Sequence, residues 1–370
     1  MRNALGRIIF TIIRLHYLIN KLLKKRAVNK LSKIAIINLY GIGDVLLTTP
    51  SIRAIKKGNP SSELFYICQS SAVSVLINNP RLDEIVSLRT SSLIEWVKYG
   101  WKMFRKHIDL SIVIHPGERN SLAAYLSFAK YKIGYLFSNV VVSTGGVQIK
   151  NFKLDKNTHW VDCGLLVIRA LGCKPSRKDL EIYASPEDID RAKRFFQENT
   201  LDRKYTVGLF PGGKWEWKRW GSDKFAESCN LLKCKYNVVL IGGISDQPII
   251  NEVVNICGDV EIPSLITKTL GELTESIRQC DVLVTNDTVA LHIADAVRTR
   301  TVSIFGPTNP KKLAPQGAFH KVIFKALYCQ PCYNEYTPPI CKNPQEYFCF
   351  KSVLPSEVFE NVERLVKIEI

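Results

Sequence analysis

The chain has no acidic residue before Asp44, while nine of its first 33 residues are Lys or Arg. These nine belong to a net charge of +17 over 370 residues, which leaves only +8 for the other 337. Nucleic-acid binders carry a stripe of positive charge on the folded body. That stripe is missing, and no nucleic-acid partner is expected. An unbroken apolar run of about 20 residues, the length a membrane-spanning helix needs, is missing too. The most apolar segment, 8–23, is interrupted by Arg14 and His16. Where a secretory signal would place a small-residue cleavage site, the chain has Lys24, Lys25 and Arg26. A second Cys-x-x-Cys pair, which strong zinc signatures contain, is also lacking.

On a helix of about 100° per residue, Arg7, Arg14, Lys21 and Lys25 fall on one stripe, with isoleucine and leucine around the rest. Such a helix suits a lipid interface, its basic side chains reaching anionic headgroups. Residues 1–32 are therefore expected to lie on the cytoplasmic surface of the inner membrane, leaving the protein cytoplasmic and peripherally attached. Packing on the body of the protein and a true span are the alternatives. Of eleven cysteines, seven sit singly in apolar contexts and read as small core residues. The other four, Cys329, Cys332, Cys341 and Cys349, form the one cluster from which a zinc site could be built; structural disulfides are disfavoured in a reducing compartment.

From residue 34 onward, short apolar runs alternate with longer mixed segments, the pattern of βαβ units around a parallel sheet. Candidate strands are 34–39, 64–68, 85–88 and 110–114, then 206–210, 237–241, 282–285 and 301–305. Between the series, Ser185 caps a helix with Pro186 in its first turn and acids at the positive dipole end. Asp188 and Asp190 have the Asp-x-Asp spacing of a metal–nucleotide site, but at a helix start they read as structural. Two such series predict two Rossmann-like α/β domains: 33–184 and 185–350, followed by a terminal helix over 351–370.

Three junctions carry the chemistry. In the first, Gly41-Ile42-Gly43-Asp44 follows a strand, where ligands approach parallel sheets; the motif alone allows Asp44 to be a helix cap. A dinucleotide fingerprint fails at its third glycine, because position 46 is Leu46. In the second, Pro211-Gly212-Gly213-Lys214-Trp215-Glu216-Trp217-Lys218 joins glycines, whose backbone can approach a diphosphate, to cations that can neutralise one. The third runs from Asn286 through Asp287, Thr288, Val289 and His292, with Gly306, Pro307 and Thr308 after the next strand. Val289 is a β-branched residue at the start of a helix, unsuited to positive φ.

Together these segments resemble glycosyltransferase family 9, the heptosyltransferases of lipopolysaccharide core assembly. The resemblance covers about residues 33–365 and implies a GT-B arrangement, with an N-terminal acceptor domain and a C-terminal donor domain. It further implies that the last helix packs back on the first domain. In the family's terms Asp44 is the catalytic base, and Lys218 neutralises the departing nucleotide. Gly212, Gly213, Lys214, Asp287, Thr288, Val289, His292, Gly306 and Thr308 would bind the donor, and Gly43 and Arg119 the acceptor. His159 and Asp162 match the family without an arguable role. Two departures stand out, Val289 for the usual glycine and Asn309 for the usual acid. The implied reaction is inverting and needs neither metal nor cofactor. It moves heptose or a related sugar from a nucleotide-diphosphate donor, ADP-heptose first, to an anionic lipid-linked saccharide. The alternatives are a non-catalytic membrane-associated nucleotide-sugar-binding protein and a Rossmann-type oxidoreductase.

Overall fold

The computed structural model describes residues 31–135, 141–144, 155, 157–175, 177–201, 205–258, 261–333 and 339–368. The expected N-terminal interfacial helix lies outside the described residues. Two compact units divide the chain at Lys178 and Asp179.

The first unit holds β1 (Lys33–Ile37), β2 (Glu63–Cys68), β3 (Glu84–Ser87), β4 (Leu110–Val113), β5 (Tyr131–Tyr135) and β6 (Val141–Thr144). Its sheet runs β3-β2-β1-β4-β5-β6, parallel except for β6, which is antiparallel to β5. Ile34, Ala35, Ile36 and Ile37 are all buried, because helices covering both faces of a parallel sheet leave no polar side. Strand order reverses between β1 and β4, so the loops after these two strands open at a topological switch point.

The second unit repeats the plan with β7 (Thr206–Phe210), β8 (Asn237–Gly243), β9 (Ser264–Thr267), β10 (Val282–Asn286), β11 (Arg300–Ile304) and β12 (His320–Ile323). Its order is β12-β11-β10-β7-β8-β9, every pairing parallel, and it reverses between β7 and β10. Ser185 closes a capping box with Asp188, whose carboxylate also accepts a hydrogen bond from Thr269 Oγ1. The Asp-x-Asp pair is thus structural, as its place at a helix start implied.

Four strands escaped the sequence reading. β9 and β12 are short edge strands only partly buried, and β6 is the edge strand of the first sheet. β5 is broken in composition by Lys132 and Gly134. That glycine is required where it stands: φ is +120°, and a Cβ would lie 1.9 Å from the Val113 carbonyl oxygen. The last helix is Pro355–Val366. Val358, Val362 and Leu365 are buried in the core of the second unit, beside residues of β7, β10 and β11. Its apolar face is spent there. Cys234, taken as a core residue, is exposed.

Candidate active site

In the first unit the chain leaves β1 through Asn38, Leu39 and Tyr40 into the short helix Ile42–Leu46. Two buried asparagines shape this exit. Asn38 Nδ2 donates to the Asp44 carbonyl at 3.1 Å. Asn120, on the helix Glu118–Leu126, accepts from Leu39 N–H at 2.8 Å and donates to the His115 carbonyl at 2.9 Å. The loops after β1 and β4 are thereby tied to each other. Asp44 stands at the third helical position, where its carboxylate accepts from Gly41 N–H at 3.2 Å. It is a helix cap, and it is also half-exposed at the switch point. Gly43 is the second residue of the same helix.

Tyr40 Oη donates to the Pro116 carbonyl at 2.6 Å and lies over Gly117, whose φ of +157° and lack of a Cβ make room for it. His115 lies two residues past β4, its ring 4.7 Å from Trp160. Burial lowers its pKa to about 4, so the ring is neutral near pH 7. Arg119 is exposed, and its guanidinium contacts Thr90 Oγ1 at 3.4 Å. His159 caps the helix Trp160–Ala170 through Nδ1, and Asp162 pairs with Lys178 at 2.9 Å. These last two are structural.

In the second unit the loop after β7 folds across the end of β10. Asn286 is the staple. Its Nδ2 donates to the carbonyls of Pro211 (3.0 Å) and Gly212 (3.2 Å), and its Oδ1 accepts from Trp220 N–H at 3.0 Å. Arg219 clamps the same loop by donating Nε and Nη2 to the Gly213 carbonyl at 3.0 and 2.7 Å. Lys218 is thereby placed with Nζ 2.7 Å from Asp287 Oδ2, and the rings of Trp217 and Tyr333 each lie 5.7 Å from its ammonium.

Asp287 is 4% exposed. Burial alone would raise its pKa, but the Lys218 charge and hydrogen bond, with His292 and Thr308 acting in the same direction, hold it below the usual carboxylate range. Thr288 caps the helix Val289–Val297 without a side-chain cap bond, its hydroxyl lying 3.3 Å from that of Thr285. Leu291 N–H donates to the Thr288 carbonyl at 3.2 Å, and no side chain caps the N–H groups of Val289 and Ala290.

Three expectations change. Gly213 was read as an amide open to phosphate, yet its N–H is 3.1 Å from Asp246 Oδ1, which accepts it. Gly212 is glycine because a Cβ would fall 2.2 Å from the same carboxylate oxygen. Asp246 and Asn286 therefore build the loop, and neither stood out in the sequence, since a buried acid or amide has no spacing rule. Val289 is the first residue of its helix and is not among the positive-φ residues, so the site tolerates a β-branched residue there. Gly306 is a packing glycine, its Cβ position filled by the Phe350 ring at 2.3 Å. Lys214 is exposed and lies over the Trp215 ring at 5.1 Å, while Asn309 caps the turn that begins at Pro310. Of the three nearby tryptophans, Trp220 belongs to the core, whereas Trp215 is 45% exposed.

Cys329, Cys332, Cys341 and Cys349 line one small pocket of about 20 Å³. All four are free thiols. Burial and then the neighbouring sulfurs raise Cys349 to about 11 and Cys332 in the same direction. Among the described residues, no group of three or more His, Cys, Asp or Glu side chains could hold a metal ion.

Replacing Asn286 with alanine removes three hydrogen bonds from a fully buried site. A loss of about 1–3 kcal/mol in stability is expected for buried polar groups left unsatisfied, together with weaker nucleotide binding as Lys218 loses its placement. Chemical denaturation and a nucleotide titration of the variant check both. A variant as stable as the parent would show that the staple is dispensable.

Two Rossmann-like units carry these groups, a half-exposed carboxylate on the first and a Lys–Asp pair beside a helix start on the second. A model of glycosyltransferase family 9 (heptosyltransferase) matches residues 123–340. The chain belongs to that family. Lipooligosaccharide heptosyltransferase 2 of Campylobacter jejuni is 24% identical over 347 residues, covering 88% of this chain and 96% of that protein. A family 9 glycosyltransferase from Veillonella parvula superposes with a TM-score of 0.77 at 24% identity, over 92% of this chain and 99% of that one. Escherichia coli ADP-heptose heptosyltransferase II gives 0.67 at 19% identity, over 90% and 98%. The oxidoreductase and non-catalytic readings fall with this membership.

Proposed function

We propose that the enzyme transfers heptose, or a closely related sugar, from a nucleoside-diphosphate donor to an anionic lipid-linked saccharide of lipopolysaccharide core type. ADP-heptose is the first donor to test, and the reaction is inverting. The observation that carries this reading is the buried Lys218–Asp287 pair at the β7/β10 switch point, 2.7 Å apart. An ammonium has three donors. One serves Asp287, and the others can meet the diphosphate as the bond to the anomeric carbon breaks. The uncapped start of Val289–Val297 supplies backbone N–H groups and a positive dipole end to the same phosphates. Asp287, Thr288 and His292 would orient the sugar, and fixed basic groups take the place a metal fills in other transferases.

Asp44, on the first unit, would accept the proton of the acceptor hydroxyl. That oxygen attacks the anomeric carbon from the face opposite the diphosphate, and the nucleotide leaves with the bonding electron pair. A single displacement inverts the anomeric centre. Residues 1–32 would hold the enzyme at the cytoplasmic face of the membrane, with Arg119 meeting the acceptor's negative charge.

Calorimetric titration with ADP, UDP and GDP, each with and without EDTA, tests the reading. ADP is expected to bind most tightly, with an affinity that EDTA leaves unchanged. Preference for another nucleotide would reassign the donor, and binding abolished by EDTA would overturn the metal-free mechanism.

A further inference from the structure

The helix Leu93–Lys106 in the first unit is apolar on two sides. Trp96, Tyr99, Gly100 and Met103 face the core. Leu93, Ile94, Val97, Trp101 and Phe104 are equally apolar, yet they are 67%, 67%, 66%, 62% and 56% exposed. On a helical projection these five occupy an arc of about 100°. Lys98, Lys102, Arg105 and Lys106 fill the next arc, and the buried residues complete the circle. Phe128, 57% exposed, extends the apolar surface by packing edge-on against Phe104, with ring centroids 5.5 Å apart.

Five large exposed side chains on one stripe are not scattered surface residues, and contiguous patches of this kind mark interaction sites. We propose that this face of the helix is a membrane-docking surface, seated in the headgroup region of an anionic bilayer. Charge decides between the possible occupants. The arc beside the patch is basic. Lys102 and Lys106 share a single carboxylate, Glu84, at 2.9 and 2.5 Å, and Lys98 is answered by Glu95 at 3.3 Å. The four cations on this helix therefore meet two acids. Arg105 adds a guanidinium 4.7 Å above the Trp101 ring, an apolar stem and ring with a charged head able to reach phosphate. Tryptophan and phenylalanine on one stripe with lysine and arginine along its margin is the composition of helices that lie in the lipid interface. The surface is built from residues outside 1–32 in the sequence, and the inference stands independently of which sugar the enzyme transfers.

The test uses the full-length protein carrying Ile94→Ser, Val97→Ser and Trp101→Ser, all at exposed positions. Partitioning is measured on vesicles of phosphatidylethanolamine with phosphatidylglycerol, and on phosphatidylcholine alone. The expected result is binding to the anionic vesicles weakened by about 10- to 100-fold, with the thermal midpoint and ADP titration as in the parent. A second variant, Lys98→Glu with Arg105→Glu, should lose affinity for anionic vesicles and little for neutral ones. Parent-like partitioning of the serine variant would overturn the proposal, since residues 1–32 would then supply the membrane affinity. A parent dimer that the serine substitutions split in sedimentation velocity, without change in vesicle binding, would overturn it in favour of a second copy of this chain.

Discussion

Asp44→Ala is expected to reduce kcat by about 10²- to 10⁴-fold, the usual contribution of a positioned general base, while ADP affinity stays within twofold of the parent. The separation follows from the chain's organisation. Asp44 sits on the first unit, and every proposed nucleotide contact is on the second. The same carboxylate caps the helix Ile42–Leu46 through Gly41 N–H at 3.2 Å, so the variant also loses about 0.5–2 kcal/mol of stability. Asp44→Asn discriminates between the two roles. The amide oxygen still accepts from Gly41, so stability returns, but a neutral amide cannot take a proton and turnover stays low. Near-parental turnover in either variant would remove Asp44 as the base.

Lys218→Ala is expected to cost more in stability and as much in activity. It strips the partner from a carboxylate that is 4% exposed. Breaking a buried pair from one side costs about 3–5 kcal/mol, because the remaining charge is stranded. The leaving diphosphate loses its nearest cation as well, worth about 10²–10³ in kcat by analogy with other preorganised charge stabilisers. Adding Asp287→Asn to Lys218→Ala should restore most of the stability without restoring turnover. That comparison separates folding from catalysis.

The pH dependence follows from the lowered pKa of Asp287. Its folded-state pKa lies below the unfolded value, so the stabilisation is fully present above the unfolded value of about 3.9 and fades as pH falls through the folded one. In Lys218→Ala burial is no longer offset by the ammonium, so the folded-state pKa rises and this carboxyl's contribution to acid destabilisation shrinks or reverses, because protonating it relieves a stranded buried charge. Unfolding midpoints measured between pH 3 and 7 for parent and variant would show the difference. Superimposable profiles would mean that the pair contributes no net stability.

The parallel sheets were legible in the chain because a strand buried on both faces must be apolar throughout. Eight such runs were visible, and each became a strand within one or two residues of its expected ends. β9 and β12 escaped because partial burial at a sheet edge relaxes that demand, and β5 because Lys132 and Gly134 interrupt its apolar run. Asp287 and Thr288 follow directly on β10, and Asp44 and Lys218 lie in the segments after β1 and β7, so the strand-end motifs located the regions these residues occupy. Asn286 and Asp246 were not legible. Their importance lies in hydrogen bonds to loops 33 to 75 residues away, which no local spacing records.

The glycines show the same division. Their need for space could be inferred, but what fills the space could not. A phosphate was expected at Gly212 and Gly213, and the structure puts the Asp246 carboxylate there. The helix Leu93–Lys106 shows its apolar residues plainly in sequence, yet which of its two apolar faces meets the core depends on where β3 and β4 place it.

By itself the sequence determined the class of fold, the order of its βα units and the family to which the chain belongs, because periodicity and strand-end motifs are local properties of the chain. Tertiary structure alone decided that Lys218 pairs with Asp287, that the last helix completes the second core and that one stripe of an amphipathic helix stays exposed. Those outcomes depend on which surfaces are left to meet once the sheets have formed.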